Sequence, residues 1–320
     1  MARLAFFGTP ALAAAQLDAL LATSHEVVLV VAQPDRPAGR GKQLQPPPTK
    51  VLAQARGLEV AQPETLKKDT PSGEGFFALF SSKRVNLAVV AAYGRIIPRR
   101  LLDLPPRGFV NVHASLLPRW RGAAPIQRAI EAGDAMTGVC LMHMVPELDA
   151  GDVYARAEVP IAPEDDGETL TSKVAATGAL LLANNLDALI AGSLPRVPQP
   201  IEGITYAEQL SKEDGLIDWQ KSAPRVVDHA RAMHPWPGSF TMLGDEVLKL
   251  FAPAIAAGQG GAAGTVLSAR DGLVVACGEG AVRFADAQLP NKRRMPVAEL
   301  LRGRPIAAGT MLGVGPRGAP

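Results

Sequence analysis

The stretch Gly108-Phe109-Val110-Asn111-Val112-His113-Ala114-Ser115-Leu116-Leu117-Pro118-Arg119-Trp120-Arg121-Gly122 decides how the rest of the chain is read. Its opening residues predict a short buried strand with Asn111 and His113 at the carboxyl end. Residues two apart on a strand point to one face, so the amide and the imidazole project side by side. Leu116-Leu117-Pro118 ends the strand, because proline cannot donate to a central ladder. Arg119 and Arg121 follow in a loop, and Ile126, Ala129 and Ile130 then recur at helical spacing. Strand, loop and helix in that order fit an open α/β sheet, which binds ligands outside the carboxyl ends of its strands. By itself the pair also has an ordinary reading, as a strand-end turn residue and a packed histidine.

Working outward, residues 3–7 and 26–32 predict strands, the second of the continuous apolar kind found in parallel sheets. An alanine- and leucine-rich helix runs from Ala11 to Leu21 between them. The first turn, Gly8-Thr9-Pro10, lacks the later glycines of the dinucleotide fingerprint, which argues against nicotinamide hydride transfer. Leu87 to Ala92 predicts another strand, followed by Tyr93-Gly94-Arg95-Ile96-Ile97-Pro98. That segment is either a plain strand-to-helix turn or a loop lining a flat pocket with backbone groups. Thr137 to Met144 and Asp152 to Arg156 predict a strand and its return, joined through Leu148-Asp149-Ala150-Gly151-Asp152. A helix through Leu170, Val174 and Leu186 stops near Gly192, and Pro195, Pro198 and Pro200 predict a stiff extended linker. Short β-rich runs separated by glycine turns fill the remainder, as in a small barrel or sandwich. The expected organisation is a Rossmann-like open α/β sheet over 1–190, a linker over 191–206 and a small all-β domain over 207–320.

A chain of 320 residues with 47% hydrophobic side chains suits two soluble cores. No run of eighteen apolar residues predicts a membrane span, and Arg3-Leu4-Ala5-Phe6-Phe7-Gly8 leaves no room for a signal peptide. Cys140 and Cys277 each sit in an apolar run, giving neither a disulfide framework nor a metal cluster, so a cytoplasmic protein is expected. Net charge is only +2, but positive charge gathers in two places. Gln33 to Lys42 carries Arg36, Arg40 and Lys42 among prolines and glycines, predicting a mobile surface loop. From Asn291 onward Lys292, Arg293, Arg294, Arg302, Arg304 and Arg317 oppose only Glu299. Each cluster reads either as solvated surface or as a patch that faces phosphates.

The string from Asn111 to Ile126 resembles the signature of the folate-dependent formyltransferases, where Asn-x-His precedes Ser-Leu-Leu-Pro and an Arg-Gly. Leu148-Asp149-Ala150-Gly151-Asp152 resembles the family's acidic loop, although Val145-Pro146-Glu147 departs from the Asp-x-Gly expected before it. The resemblance implies a catalytic set of Asn111, His113 and Asp149, with the acid at Asp149 and not Asp152. It implies 10-formyltetrahydrofolate as donor, bound by Tyr93, Gly94, Arg95 and Ile96 and by Ser115, Leu116, Leu117 and Pro118, with no metal. The loop from 33 to 48 resembles that of family members acting on initiator methionyl-tRNA. Arg40 is then expected in the acceptor arm, with Arg36, Lys42, Lys292, Arg293 and Arg294 as further tRNA contacts. The second domain becomes an OB-like barrel, and the protein is expected to be a monomer without a membrane partner. Two other readings compete. A formyltransferase for a small amine, such as a sugar nucleotide or glycinamide ribonucleotide, has no use for the remote basic surface. A catalytically silent RNA-binding protein has no use for the intact Asn111, His113 and Asp149.

Overall fold

Residues 1–38, 43–258 and 260–313 are described by the structure, a computed structural model. The chain forms two compact units, each drawing on more than one stretch of sequence. The first comprises Met1–Pro125, Met136–Pro160 and Thr171–Glu208; the second comprises Ile126–Ala135, Ile161–Leu170 and the chain from Gln209.

The chain opens with β1 (Arg3–Gly8), α1 (Ala11–Leu21) and β2 (Glu26–Val31), then a small hairpin, β3 (Arg36–Ala38) with β4 (Gln43–Gln45). Next come α2 (Pro48–Ala55), β5 (Val60–Ala61), α3 (Pro71–Ser82), β6 (Leu87–Ala91), α4 (Arg99–Leu102) and β7 (Phe109–His113). The short β8 (Arg121–Gly122) and α5 (Pro125–Glu131) precede an antiparallel pair, β9 (Met136–His143) and β10 (Val153–Pro160). After α6 (Gly167–Ala191), β11 (Tyr206–Ala207) returns to pair with β8.

Seven strands make one sheet in the order β10-β9-β7-β6-β1-β2-β5. Pairing is parallel from β7 to β5 and antiparallel where β9 and β10 are added. Strand order reverses between β1 and β6, the switch point at which an open α/β sheet leaves a crevice. Phe7 anchors one face of this sheet, with ring centroids of Phe109, Tyr93, Phe80 and Phe76 at 5.3, 5.4, 5.7 and 6.1 Å. A Cβ on Gly8 would press within 2.9 Å of the Ala91 carbonyl, so glycine lets the end of β1 lie against β6.

The positive segment after β2 departs from the unpaired loop expected there. Arg36, Pro37 and Ala38 pair with Gln45, Leu44 and Gln43 as a hairpin. Arg40 and Lys42 lie outside the described residues. Helix α6 reaches a mean hydropathy of 1.5, long and apolar enough by composition to cross a membrane. Yet Val174, Leu182, Leu186 and Leu189 are buried at helical spacing, the stripe of a helix packed on a core.

The second unit adds α7 (Ala223–Ala232), β12 (Phe240–Leu243), β13 (Glu246–Ala256), β14 (Val266–Ser268), β15 (Leu273–Ala276), β16 (Ala281–Gln288), β17 (Met295–Pro296) and α8 (Val297–Gly303). The strands form an antiparallel sheet in the order β12-β13-β16-β15-β14, with β17 on β16. Trp219, Val226, Leu250, Phe284 and Leu300 bury together in its core. Trp219 meets Phe284 edge-on at 6.0 Å and gives its indole N–H to Thr241 Oγ1 at 3.0 Å, which satisfies the buried donor.

Candidate active site

β7 is hydrogen-bonded on both sides, Asn111 standing opposite Val90 of β6 and Met142 of β9. Asn111 and His113 therefore project from a strand that cannot shift, at its carboxyl end. The turn between β9 and β10 brings Asp149 to them. Asn111 Nδ2 donates to Asp149 Oδ1 at 3.3 Å, and His113 Nδ1 stands 3.6 Å from Asp149 Oδ2. The other ring nitrogen, Nε2, lies 2.9 Å from the Trp120 carbonyl oxygen. Nε2 thus has an oxygen acceptor within hydrogen-bond reach, while Nδ1 faces the carboxylate at ion-pair distance. His113 is 5% exposed, and the Asp149 side chain 13%. A charge interaction between groups so shielded from water is stronger than on an open surface.

The expected carboxylate, Asp149, is the one that meets the pair. Asp152 instead uses its backbone carbonyl to accept the His143 N–H at 2.8 Å, closing the β9–β10 hairpin. A Cβ on Gly151 would run into the His143 carbonyl, so the tight turn between the two aspartates requires glycine.

Several partners lie beyond the residues legible in the motif. Gly122 gives its backbone N–H to Asp149 Oδ2 at 2.9 Å. Asp149 and Trp120 both adopt left-handed backbone, with φ of 46° and 61°. Each such conformation costs a non-glycine residue about 1–2 kcal/mol, so the surroundings must impose it. Thr205 Oγ1 accepts the Trp120 N–H at 2.9 Å, and the Thr205 carbonyl accepts the Arg121 N–H at 2.9 Å. Gln199 donates from Nε2 to the carbonyls of Asp149 and Gly151 at 2.8 and 2.7 Å. Its Oε1 accepts from Arg121 Nε and Nη2 at 3.1 and 2.8 Å. Thr205 and Gln199 belong to the segment read from sequence as a spacer.

The residues expected to hold folate divide by what they expose. The Tyr93 ring is buried in the Phe7 cluster, and burial pushes its hydroxyl up to about 12. Its carbonyl accepts from Thr9 Oγ1 at 3.2 Å and Gln33 Nε2 at 3.0 Å. Arg95 donates to the Pro63 and Glu64 carbonyls at 2.7 and 2.5 Å, while Ile96 is 86% exposed. Ser115 is buried and gives its hydroxyl to the Arg119 carbonyl at 2.6 Å, and Leu117 packs against Cys140, Met142 and Val153. Leu116 sits over Gly138, where a Cβ would collide with it, and Pro118 follows a cis peptide bond. Side chains in the Ser115–Pro118 turn thus shape the loop, and what it can offer a ligand is largely its backbone.

At the switch point a cleft of about 420 Å³ opens between Thr9, Pro10, Gln33, Pro47, Ala92 and Gly94. Arg36 lines it too, placing one expected tRNA contact beside the crevice. In the second unit, Arg293 pairs with Glu299 at 3.1 Å, and Arg294 pairs with Asp286 at 2.7 Å and covers the Phe251 ring at 4.5 Å. Lys292 is exposed beside them. Among the described residues, no group of three or more histidine, cysteine, aspartate or glutamate side chains is gathered as a metal site requires.

Family models for "Formyl transferase" and "Formyl transferase, C-terminal domain" match residues 2–186 and 209–305. A methionyl-tRNA formyltransferase of Aromatoleum aromaticum is 49% identical over 96% of both chains, and one of Burkholderia thailandensis 47% identical over 96% of this chain and 95% of its own. The fold resembles the N-formyltransferase of Helicobacter canadensis solved with folinic acid and dTDP-3-aminofucose, at TM-score 0.67, 16% identity and coverage of 90% of this chain and 100% of that one. It also resembles HypX of Aquifex aeolicus solved with tetrahydrofolic acid, at TM-score 0.60, 19% identity and coverage of 94% of this chain and 47% of that one. The strand-borne Asn-x-His pair, the facing aspartate and relatives matched along almost the whole chain lead to one assignment: this chain belongs to the formyl transferase family.

Proposed function

We propose that this enzyme moves a formyl group from 10-formyltetrahydrofolate to the α-amino group of methionyl initiator tRNA. The observation that carries the reading is the convergence of Asn111, His113 and Asp149 at the carboxyl end of β7. In the transfer, the neutral amine attacks the formyl carbon and the carbon–nitrogen bond to the folate breaks. One proton passes from the attacking nitrogen to the departing one. An asparagine amide carries two N–H donors. One meets Asp149, and the other is available to the oxygen on which negative charge develops. A single such donor is worth about 3–4 kcal/mol to a transition state. His113, placed between Asp149 and the Trp120 carbonyl, holds or relays the proton near that oxygen, and Asp149 orients the ring. No side-chain nucleophile enters this scheme. Backbone of the 93–96 and 115–118 segments is proposed to hold the folate. Residues 207–320, with the cations at 292–294 and those at Arg36, Arg40 and Lys42, are proposed to face the tRNA, its acceptor arm above all.

The test is formylation of charged initiator tRNA by purified protein with 10-formyltetrahydrofolate, run beside free methionine and an amino-sugar nucleotide. Transfer to the charged tRNA is expected, with Asn111→Ala and His113→Ala each lowering kcat at least a hundredfold while tRNA binding holds. Preferred transfer to the amino sugar would replace the proposal with a small-amine enzyme.

A further inference from the structure

We infer that Gln199 is a positioning residue for the transfer, clamping the strained backbone of Asp149 and tying it to Arg121. This rests on the proposed catalytic role of Asp149. The side chain is held by four hydrogen bonds at 2.7–3.1 Å, two donated to the carbonyls of Asp149 and Gly151 and two accepted from the Arg121 guanidinium. Every polar atom of the amide is thereby used, and all in one direction of influence. Asp149, at φ 46°, sits in a conformation that its own sequence does not favour, so its carbonyl needs a fixed donor. Arg121 is 8% exposed, and the Gly122 N–H that follows it meets the Asp149 carboxylate. Gln199 therefore joins the two loops that present Asp149 and the Trp120 carbonyl to His113.

The backbone around Gln199 is built for this task. Pro198 and Pro200 flank it, and a residue before proline is confined to extended conformations. On one side Val197 and Val153 exchange both backbone hydrogen bonds at 2.9 Å. On the other, Tyr206 and Ala207 pair with Arg121 and Gly122. A segment anchored at both ends and stiffened in the middle delivers one side chain to one place. Loss of that side chain would free the Asp149 turn by a fraction of an ångström to an ångström, a displacement that can cost a reaction about a hundredfold.

The experiment compares Gln199→Glu, Gln199→Leu, Asp149→Asn and the double variants with Asp149→Asn, in single-turnover formylation of charged initiator tRNA. Glutamate keeps an acceptor for Arg121 but has no N–H for the two carbonyls; leucine removes both functions at similar size. Each Gln199 variant is expected to lower the rate roughly ten- to a hundredfold with little change in KM for either substrate. In the Asp149→Asn background the same changes are expected to cost almost nothing more, because Gln199 acts through Asp149. Hydrogen exchange over residues 145–152 is expected to speed up in the Gln199 variants, which reads the clamp without any substrate. Normal rates in both Gln199 variants beside a crippled Asp149→Asn would overturn the inference and leave the site reading standing. Losses that multiply in the double variants would also overturn it, since a general folding defect behaves that way. A fully active Asp149→Asn would overturn the site reading itself. If Gln199→Glu does not fold, Gln199→Leu carries the same comparison.

Discussion

At the scale of the residue, the decisive choice is between two aspartates three positions apart in one turn. Asp149 accepts from Asn111 and from the Gly122 N–H and faces His113, whereas Asp152 serves the hairpin through its backbone. A backbone hydrogen bond survives change of the side chain. Asp149→Asn replaces a full negative charge with a neutral amide that offers an N–H where an acceptor is needed, so it loses both orientation and charge at His113. It is expected to lower kcat by a hundredfold or more, in line with loss of a partner that orients a catalytic base. Asp152→Asn is expected to stay within severalfold of the parent. Parallel rate measurements decide, and the reverse ranking would mean that the geometry around Asp149 has been given the wrong role.

At the scale of the element, α5 shows how a short helix is fixed. Seven residues are too few to be stable alone, so its end must be held by tertiary contacts. Glu131 at its last position accepts from Arg128 Nη1 at 2.7 Å and from His229 Nδ1 at 3.1 Å, and Arg128 also reaches Asp214 at 2.7 Å. Hydrogen bonds from His229 and then Arg128 hold the Glu131 carboxyl down to about 2, against an ordinary 4.5. A folded-state value below the unfolded one means that the ionised form stabilises the fold above pH 4.5, and that this contribution is lost as pH falls toward 2. Glu131→Gln is therefore expected to lower Tm at pH 7 and to differ less and less from the parent between pH 4.5 and pH 2. A gap in Tm that stays constant over that range would remove ionisation from the account. β6 was legible in the sequence because a continuous apolar run leaves few alternatives, and in β7 the shared face of Asn111 and His113 followed from strand period alone. The β3–β4 hairpin was not, since its polar and prolyl residues carry no alternating pattern. Gln199 escaped for a different reason: its partners lie 48 to 78 positions away, and only the closed β9–β10 turn and the β8–β11 pairing bring them within reach. The Pro-Gln-Pro string signalled a rigid segment without saying what the glutamine meets.

At the scale of the whole molecule, 33 Lys and Arg residues nearly balance 31 Asp and Glu residues, so any attraction for RNA must come from local excess. In the second cluster that excess is already partly neutralised. Arg293 and Arg294 each hold a carboxylate, Glu299 and Asp286, and Arg294 is further pinned over Phe251. A carboxylate already beside each guanidinium offsets part of its charge, so a phosphate contact there releases fewer counterions. Arg36 is exposed beside the cleft, and Arg40 and Lys42 follow it in a segment with only Asp35 as acid, itself bound to Lys50 at 2.8 Å. The salt dependence of tRNA use should therefore come mainly from the first cluster. Removing one cation that neutralises a phosphate should flatten the slope of log kcat/KM against log salt by roughly 0.7–0.9. An Arg36→Ala/Arg40→Ala double variant is expected to lose more slope than Arg293→Ala/Arg294→Ala. The second pair should instead lower Tm, because truncating Arg294 leaves Asp286 and the Phe251 ring uncovered. Formylation rates from about 50 to 200 mM salt span the range in which such effects separate. A steeper loss from the Arg293 and Arg294 pair would place the main phosphate contacts on the second unit and reduce the hairpin after β2 to a neighbour of the cleft.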